Sequence, residues 1–504
     1  MSTANQQFSQ FRLLETTIAG IQTALAEGEL SVRQLAELYL NRIEAYDRNG
    51  PNINSIITVN PQVLEEAERL DRAFADSGPV GPLHGVPVIL KDQMDARGMP
   101  TTLGSVVLKD YYPDRDSFVT ERLRKAGALI LAKATLGEMG RGDTHGSLFG
   151  STRNPYDLAR TPGGSSGGPG ASVSSNFGAV AIGQEGFASI RRPAAWNGIV
   201  GMRPTAGLVS RGGVYAGWPG LPGSLGPLTR TVTDLATLMD VIVGYDPDDP
   251  LTSFGVGQAP GTFTDFLDRD GLRGARIGVM TQSMGFRSEP DTTDFRLVSE
   301  VFERAVTELE AAGATVIRLP EIPRLDELLA TRASDGRNDE AWDLYFGRSE
   351  KLPYESRDAM MQSPDYAKVH QSKYSGTALT GPAAYGEYLA AREELMFSVM
   401  KMMADFEIDA IVHKTVEHQP TLISEGVGPP YYDMRGTTHI NTFLVYVPSI
   451  SVPAGFTSDG LPVGITLLGR PYSDGAMIRL AYAYEQATGH RAAPSTTPSL
   501  PGEP

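Results

Sequence analysis

Apolar residues recur along this chain in two rhythms, one of helical and one of strand type, and the signals between them mark where elements start and stop. After Ser31, the positions Val32, Leu35, Leu38, Tyr39, Ile43 and Tyr46 follow the period of one helix face, and Gln34 stands where a capping box needs it. An amphipathic helix is expected there. Residues 85–90 form a short apolar run of strand type that stops at the charged pair Lys91-Asp92. Phe118–Lys125 reads as a helix ending near Gly127, residues 129–131 as a strand, and Thr135 with Glu138 as a further helix start. The pattern continues with helices over 235–243, 293–312 and 477–486 and strands over 275–280, 314–319, 408–412, 449–452 and 463–468. Helix and strand in alternation predict an α/β fold.

Between residues 320 and 430 the texture turns charged and Met-rich, with 392–403 the clearest helix, and we expect a variable layer over the core that shapes a substrate pocket. The last stretch, 493–504, is rich in Pro, Ser and Thr and is expected to be a disordered tail. A length of 504 residues leaves the number of domains open, while 41% hydrophobic and 21% charged residues are ordinary for a globular protein. Formal net charge of −16 with no basic cluster argues against a nucleic-acid partner. The chain has no cysteine, which excludes disulfides, a thiolate nucleophile and a Cys-ligated metal. No apolar window approaches membrane-spanning length and the first residues lack signal-peptide character, so a cytoplasmic protein without a membrane partner is expected.

Chemistry concentrates in residues 161–204, where Gly163, Gly164, Gly167, Gly168 and Gly170 surround Ser165 and Ser166, and a second turn carries Ser189. Each interior glycine costs about 0.5–1 kcal/mol relative to alanine, so the cluster calls for positive φ or close approach to a ligand. Ser189 needs a base and an oxyanion hole to attack a carbonyl. Successive amides of Gly186, Phe187, Ala188 and Ser189 are suited to the second task. Lys91 suits the first, because burial at the end of an apolar strand drives its amine toward the neutral form. The bland alternative is a lysine that reaches solvent and pairs with Asp92. The seven histidines, His84, His145, His370, His413, His418, His439 and His490, form no ligand pair, and no metal is expected. A competing pattern, Gly163-Gly164-Ser165-Ser166-Gly167, matches the nucleophile elbow of α/β-hydrolase esterases with Ser165 as nucleophile, yet residues 158–162 lack the strand an elbow requires.

These pieces resemble the amidase signature family. The matching motifs are GVPVILKD at 85–92, GSTRNPYD at 150–157, GGSSGG at 163–168, the turn at 185–189 with SIRRPAAWNGIVGMRPT from Ser189, GPLTRTVTD at 226–234 and PSISVPAGFTSDGLPVGITLLG at 448–469. The resemblance implies one large mixed sheet flanked by helices on both sides, built as a single domain over residues 1–504. By position it makes Lys91 the base, Ser165 a bridging serine after a cis peptide bond, and Ser189 the nucleophile of an acyl-enzyme, with no cofactor. Family members commonly have Gly-Gly where this chain has Phe187-Ala188, so substrate preference is expected to be written there. Arg191, Tyr215 and Trp218 join Phe187 as candidate substrate contacts.

The leading expectation is an amidohydrolase for small uncharged amides, with aryl amides, carbamates and esters included, acting as a monomer or homodimer. A glutamine-dependent tRNA amidotransferase component that shares the signature is the second reading. The third is a non-catalytic binding protein on the same scaffold, which retention of Lys91, Ser165 and Ser189 argues against.

Overall fold

Continuous apolar runs become the buried strands of one sheet. The computed structural model describes residues 11–215, 223–369, 379–426 and 434–504, and eleven strands in it form a single mixed sheet. In chain order they are β1 (Ile56–Val59), β2 (Pro87–Lys91), β3 (Leu129–Ala134), β4 (Val180–Glu185), β5 (Val200–Arg203), β6 (Ser224–Thr229), β7 (Arg276–Val279), β8 (Thr315–Arg318), β9 (Ala410–Lys414), β10 (Ser449–Phe456) and β11 (Pro462–Leu468). Across the sheet they run β1-β3-β2-β4-β6-β5-β10-β11-β9-β7-β8. Strand β2 is parallel to β3 and β4, and β7 is parallel to β8 and β9. The strands between β4 and β9 pair antiparallel.

Every residue of β2, β3 and β4 is buried, which a sheet allows only where helices or loops cover both faces. Local signals set the covering helices. Val32–Arg42 begins at a complete capping box between Ser31 and Gln34, and Phe118–Lys125, the crossover from β2 to β3, begins at a Ser117 cap. Thr293–Ala311 is the crossover from β7 to β8.

Two expectations are corrected. No α-helix starts at Thr135: the chain makes a short 3₁₀ turn at Glu138–Gly140, interrupted at Met139 by φ of 54°, a left-handed value that ends helical propagation. The segment 320–430 carries the helices Leu325–Ala330, Asn338–Phe346, Arg357–Met361 and Pro382–Asp405, the last of them spanning the helix expected at 392–403, and the strand expected at 408–412 is β9 of the main sheet. The stretch 493–504 is docked. Buried Arg42 donates to the carbonyls of Thr497 at 2.7 Å and Pro498 at 3.0 Å and pairs with Glu503 at 2.8 Å. Composition suggested a free tail because the arginine that holds it lies in the second helix of the chain.

Candidate active site

The parallel neighbours β2 and β4 end side by side at Lys91 and Glu185, and the serine-bearing turns meet at these carboxyl ends, where open α/β sheets place their ligands. Lys91 is fully buried, and its Nζ donates to Ser165 Oγ at 2.8 Å and to the Gln184 carbonyl at 3.3 Å. Burial pushes its pKa well below the ordinary lysine value, against the opposing charge of Glu185. Asp92 does not pair with it; that carboxylate is taken by buried Lys133 at 2.9 Å. The snorkelling alternative for Lys91 is therefore excluded.

Glycines in the first turn serve close backbone approach. A Cβ on Gly164 would lie 2.1 Å from the Gly142 carbonyl and one on Gly168 2.2 Å from that of Thr135. Among the five glycines flanking Ser165 and Ser166, only Gly163 has positive φ, at 83°. The partner in that approach is the segment 135–143 rather than a ligand. The Gly164–Ser165 peptide is cis. Ser166 joins the two turns: its Oγ donates to the Gln184 carbonyl at 3.2 Å, and its N–H donates to the Ser189 carbonyl at 3.1 Å.

The second turn is closed by a charge lock. Glu185 accepts from the N–H groups of Ile190 at 2.9 Å and Arg191 at 3.0 Å, and from Arg191 Nε at 2.7 Å. A carboxylate at the start of the helix Arg191–Trp196 also meets the unpaired amides of that end. Arg191 Nη2 donates to the Phe187 carbonyl at 3.3 Å. Within this loop the N–H groups of Gly186, Phe187, Ala188 and Ser189 find no acceptor among the described residues. Ser189 is half-buried beside them.

Not every candidate joins the cluster. Arg191 is fully buried in its pair with Glu185, so the substrate contact expected of it is replaced by a structural bond. Tyr215 is half-buried, tied to Gln93 through its carbonyl at 2.8 Å, and packed edge-on against Tyr345 at 5.4 Å. Trp218 and His370 lie outside the described residues. The elbow alternative lacks its strand: residues 161–164 precede Ser165 without one. His418 is engaged at both ring nitrogens, with Asp294 at 2.8 Å and the Glu289 N–H at 3.0 Å.

Two residues at this site had no signal in the sequence. His439 stacks on the Phe187 ring with centroids 4.6 Å apart, and the Arg332 guanidinium lies 4.8 Å from the centre of that ring. Both come from late segments with unremarkable local patterns, so only the fold brings them to Phe187.

Comparison with known proteins agrees with this architecture. A glutamyl-tRNA(Gln) amidotransferase component from Symbiobacterium thermophilum is 35% identical over 486 residues, covering 92% of this chain and 95% of its own. The structure of native peptide amidase from Stenotrophomonas maltophilia superposes with a TM-score of 0.83 at 33% identity, covering 96% of this chain and 99% of its own. That of the corresponding glutamyl-tRNA(Gln) amidotransferase component from Thermotoga maritima gives 0.73 at 30% identity, covering 96% and 98%. Residues 34–478 match the Amidase family. The chain therefore belongs to the amidase family.

Proposed function

We propose that this protein cleaves a carboxamide C–N bond through an acyl-enzyme on Ser189. The observation that carries the reading is the 2.8 Å hydrogen bond between fully buried Lys91 and Ser165. Lys91, held toward its neutral form by burial, takes a proton from Ser165 as Ser165 takes one from Ser189. The freed Ser189 oxygen attacks the carbonyl carbon, and the amides of residues 186–189 receive the oxyanion. As the C–N bond breaks, the proton returns through Ser165 to the leaving nitrogen. Water, deprotonated along the same path, then displaces the acyl group from Ser189 and releases a carboxylic acid.

Two readings of the amide share this chemistry. Curated relatives favour the one ranked second from sequence, an amidotransferase component that releases ammonia from an amide donor and works with a partner chain on glutamyl-tRNA. That reading runs against the expectation of a small-molecule substrate with no nucleic acid. A free-standing amidase, with aryl amide, carbamate and ester substrates included, is favoured by the higher TM-score with the peptide amidase and by Phe187 beside the nucleophile.

Release of ammonia from glutamine and from a C-terminal peptide amide, and of aniline from an anilide, by the purified chain separates them. Turnover of glutamine that requires a copurifying chain and tRNA supports the first reading, and turnover of the other amides by the chain alone supports the second. In either case Ser189→Ala is expected to lose hydrolysis and keep its fold, and turnover retained by that variant would remove Ser189 from the mechanism. A fluorophosphonate adduct found on Ser165 would exchange the roles of the two serines.

A further inference from the structure

His439 lies outside the lysine–serine network, yet its ring covers the turn that bears the nucleophile. The Phe187 and His439 planes are 4° from parallel. His439 is braced in turn by Phe286, edge-on at 6.2 Å and 78°, and by Phe443 at 6.5 Å. Its backbone is anchored on both sides: Thr437–Thr438 pairs with Gly285–Phe286, the Thr438 hydroxyl donates to the Thr415 carbonyl at 2.7 Å, and the Thr442 N–H donates to the His439 carbonyl at 2.9 Å. Only 4% of His439 is exposed. Burial, aided by the charges of Arg332 and Arg191, holds its pKa at about 3, against the backbone groups of Thr437 and Leu329. The ring is an uncharged plate.

Phe187 supplies one of the four amides that the proposed mechanism gives to the oxyanion, and its carbonyl shares a rigid peptide plane with the amide of Ala188. Arg191 fixes that plane through its bond to the carbonyl. The ring stack fixes the Cα–Cβ direction of Phe187. With both held, the soft dihedrals that aim the Phe187 and Ala188 N–H groups have little freedom left, and such donors are effective when they are aimed before the reaction begins.

We infer that His439 is a positioning residue of the oxyanion-binding turn, acting through the ring of Phe187. This rests on the reading of Ser189 as nucleophile. A histidine is used as a flat packing surface here, and no proton transfer is assigned to it.

The rate of inactivation by a fluorophosphonate tests this without a known substrate, because the phosphonyl oxygen occupies the oxyanion position. His439→Leu keeps volume but not the flat stack, and is expected to label about 10- to 100-fold more slowly, the range for a disturbed oxyanion donor. His439→Phe restores the stack and is expected within about threefold of wild type. Phe187→Ala is expected to slow labelling as well, and adding His439→Leu to it to change the rate by no more than about twofold, since the two act as one unit. A merely structural role would multiply the two losses, and would lower the melting temperature equally in the Leu and Phe variants. Multiplied losses overturn the inference, as does His439→Phe labelling as slowly as His439→Leu, or His439→Leu labelling at the wild-type rate. Should His439→Leu fail to fold, His439→Gln takes its place in the same comparison. Wild-type protein that takes no adduct on Ser189 removes the nucleophile assignment first, and this inference with it.

Discussion

The turn at 185–191 and the layer at 338–369 both bury polar groups, and they are held by opposite means. The turn is locked within itself: Glu185 and Arg191 are six positions apart and bond through backbone and side chain together. The layer is tethered from far away, by Tyr345 to Asp95 across 250 positions and by Ser349 to Tyr111 across 238. Its interior is aromatic, with Phe346 against Tyr111 at 5.0 Å and against Trp342 at 4.1 Å. A short charged loop holds few atoms to a narrow geometry, as a reacting group requires. Aromatic packing holds a surface whose shape can change with its residues.

The largest effect expected from this contrast is at Lys91, where the proposed base gives up stability for chemistry. Lys91→Met should lower turnover by about 10²–10⁴-fold, the usual contribution of a general base. Its effect on stability runs the other way. The folded pKa of Lys91 lies below the unfolded value of 10.5, so the unfolded chain binds the extra proton between those two values. Burying the amine is most costly at low pH, and that cost is relieved as pH rises through the window. Lys91→Met should therefore be more stable than wild type near neutral pH and lose that advantage in alkali, as urea denaturation at several pH values would read. A destabilised Lys91→Met would mean that the amine is not desolvated as the structure indicates.

Glu185→Gln strikes the lock itself and should be felt in both stability and rate. It leaves Arg191 buried without its partner, and loss of one member of such a pair costs about 3–5 kcal/mol. Misplacing the turn should lower turnover by about 10²-fold. Removing the Glu185 charge also takes away the influence that opposes the fall in the Lys91 pKa. The acid limb of the pH–rate profile should accordingly move to lower pH, which a simple loss of folding would not produce.

The same contrast explains what could be read from the sequence. Lys91, Ser165 and Ser189 are legible because their surroundings restrict residue type: glycine at Gly164 and Gly168, where any Cβ would strike a backbone carbonyl, and a lysine closing an apolar strand. Strand and helix positions are legible for a similar reason, since β2, β3 and the capped helices carry their own local signals. His439, Arg332, Tyr345 and Asp95 carry none. The partners that set their roles lie at least 145 positions away, and each has an ordinary neighbourhood in the chain. Arg191 misleads because its neighbour Ser189 suggests substrate, whereas the carboxylate six residues earlier claims it.

The smallest effect is expected at the tether of the layer, and its pH dependence makes it informative. Burial raises the Asp95 pKa from 3.8 to about 6, against the Tyr345 hydroxyl bonded at 2.5 Å, Lys133 and Thr101. A carboxyl with a raised folded pKa stabilises the fold at low pH, and that contribution is lost as pH rises through about 6. Near pH 8 the hydroxyl donates to a charged carboxylate, so Tyr345→Phe should cost about 1.5–3 kcal/mol there, and about 0.5–1.5 kcal/mol near pH 5, where the acceptor is neutral. Urea denaturation at the two pH values measures the difference. Equal losses would mean that charged Asp95 is not what the hydroxyl serves. Labelling of Ser189 by a fluorophosphonate should stay at the wild-type rate in Tyr345→Phe, because the Glu185–Arg191 lock makes no use of the tether. A labelling rate that falls together with stability would show the layer to be part of the turn's support, and the division between the two regions would fail at that point.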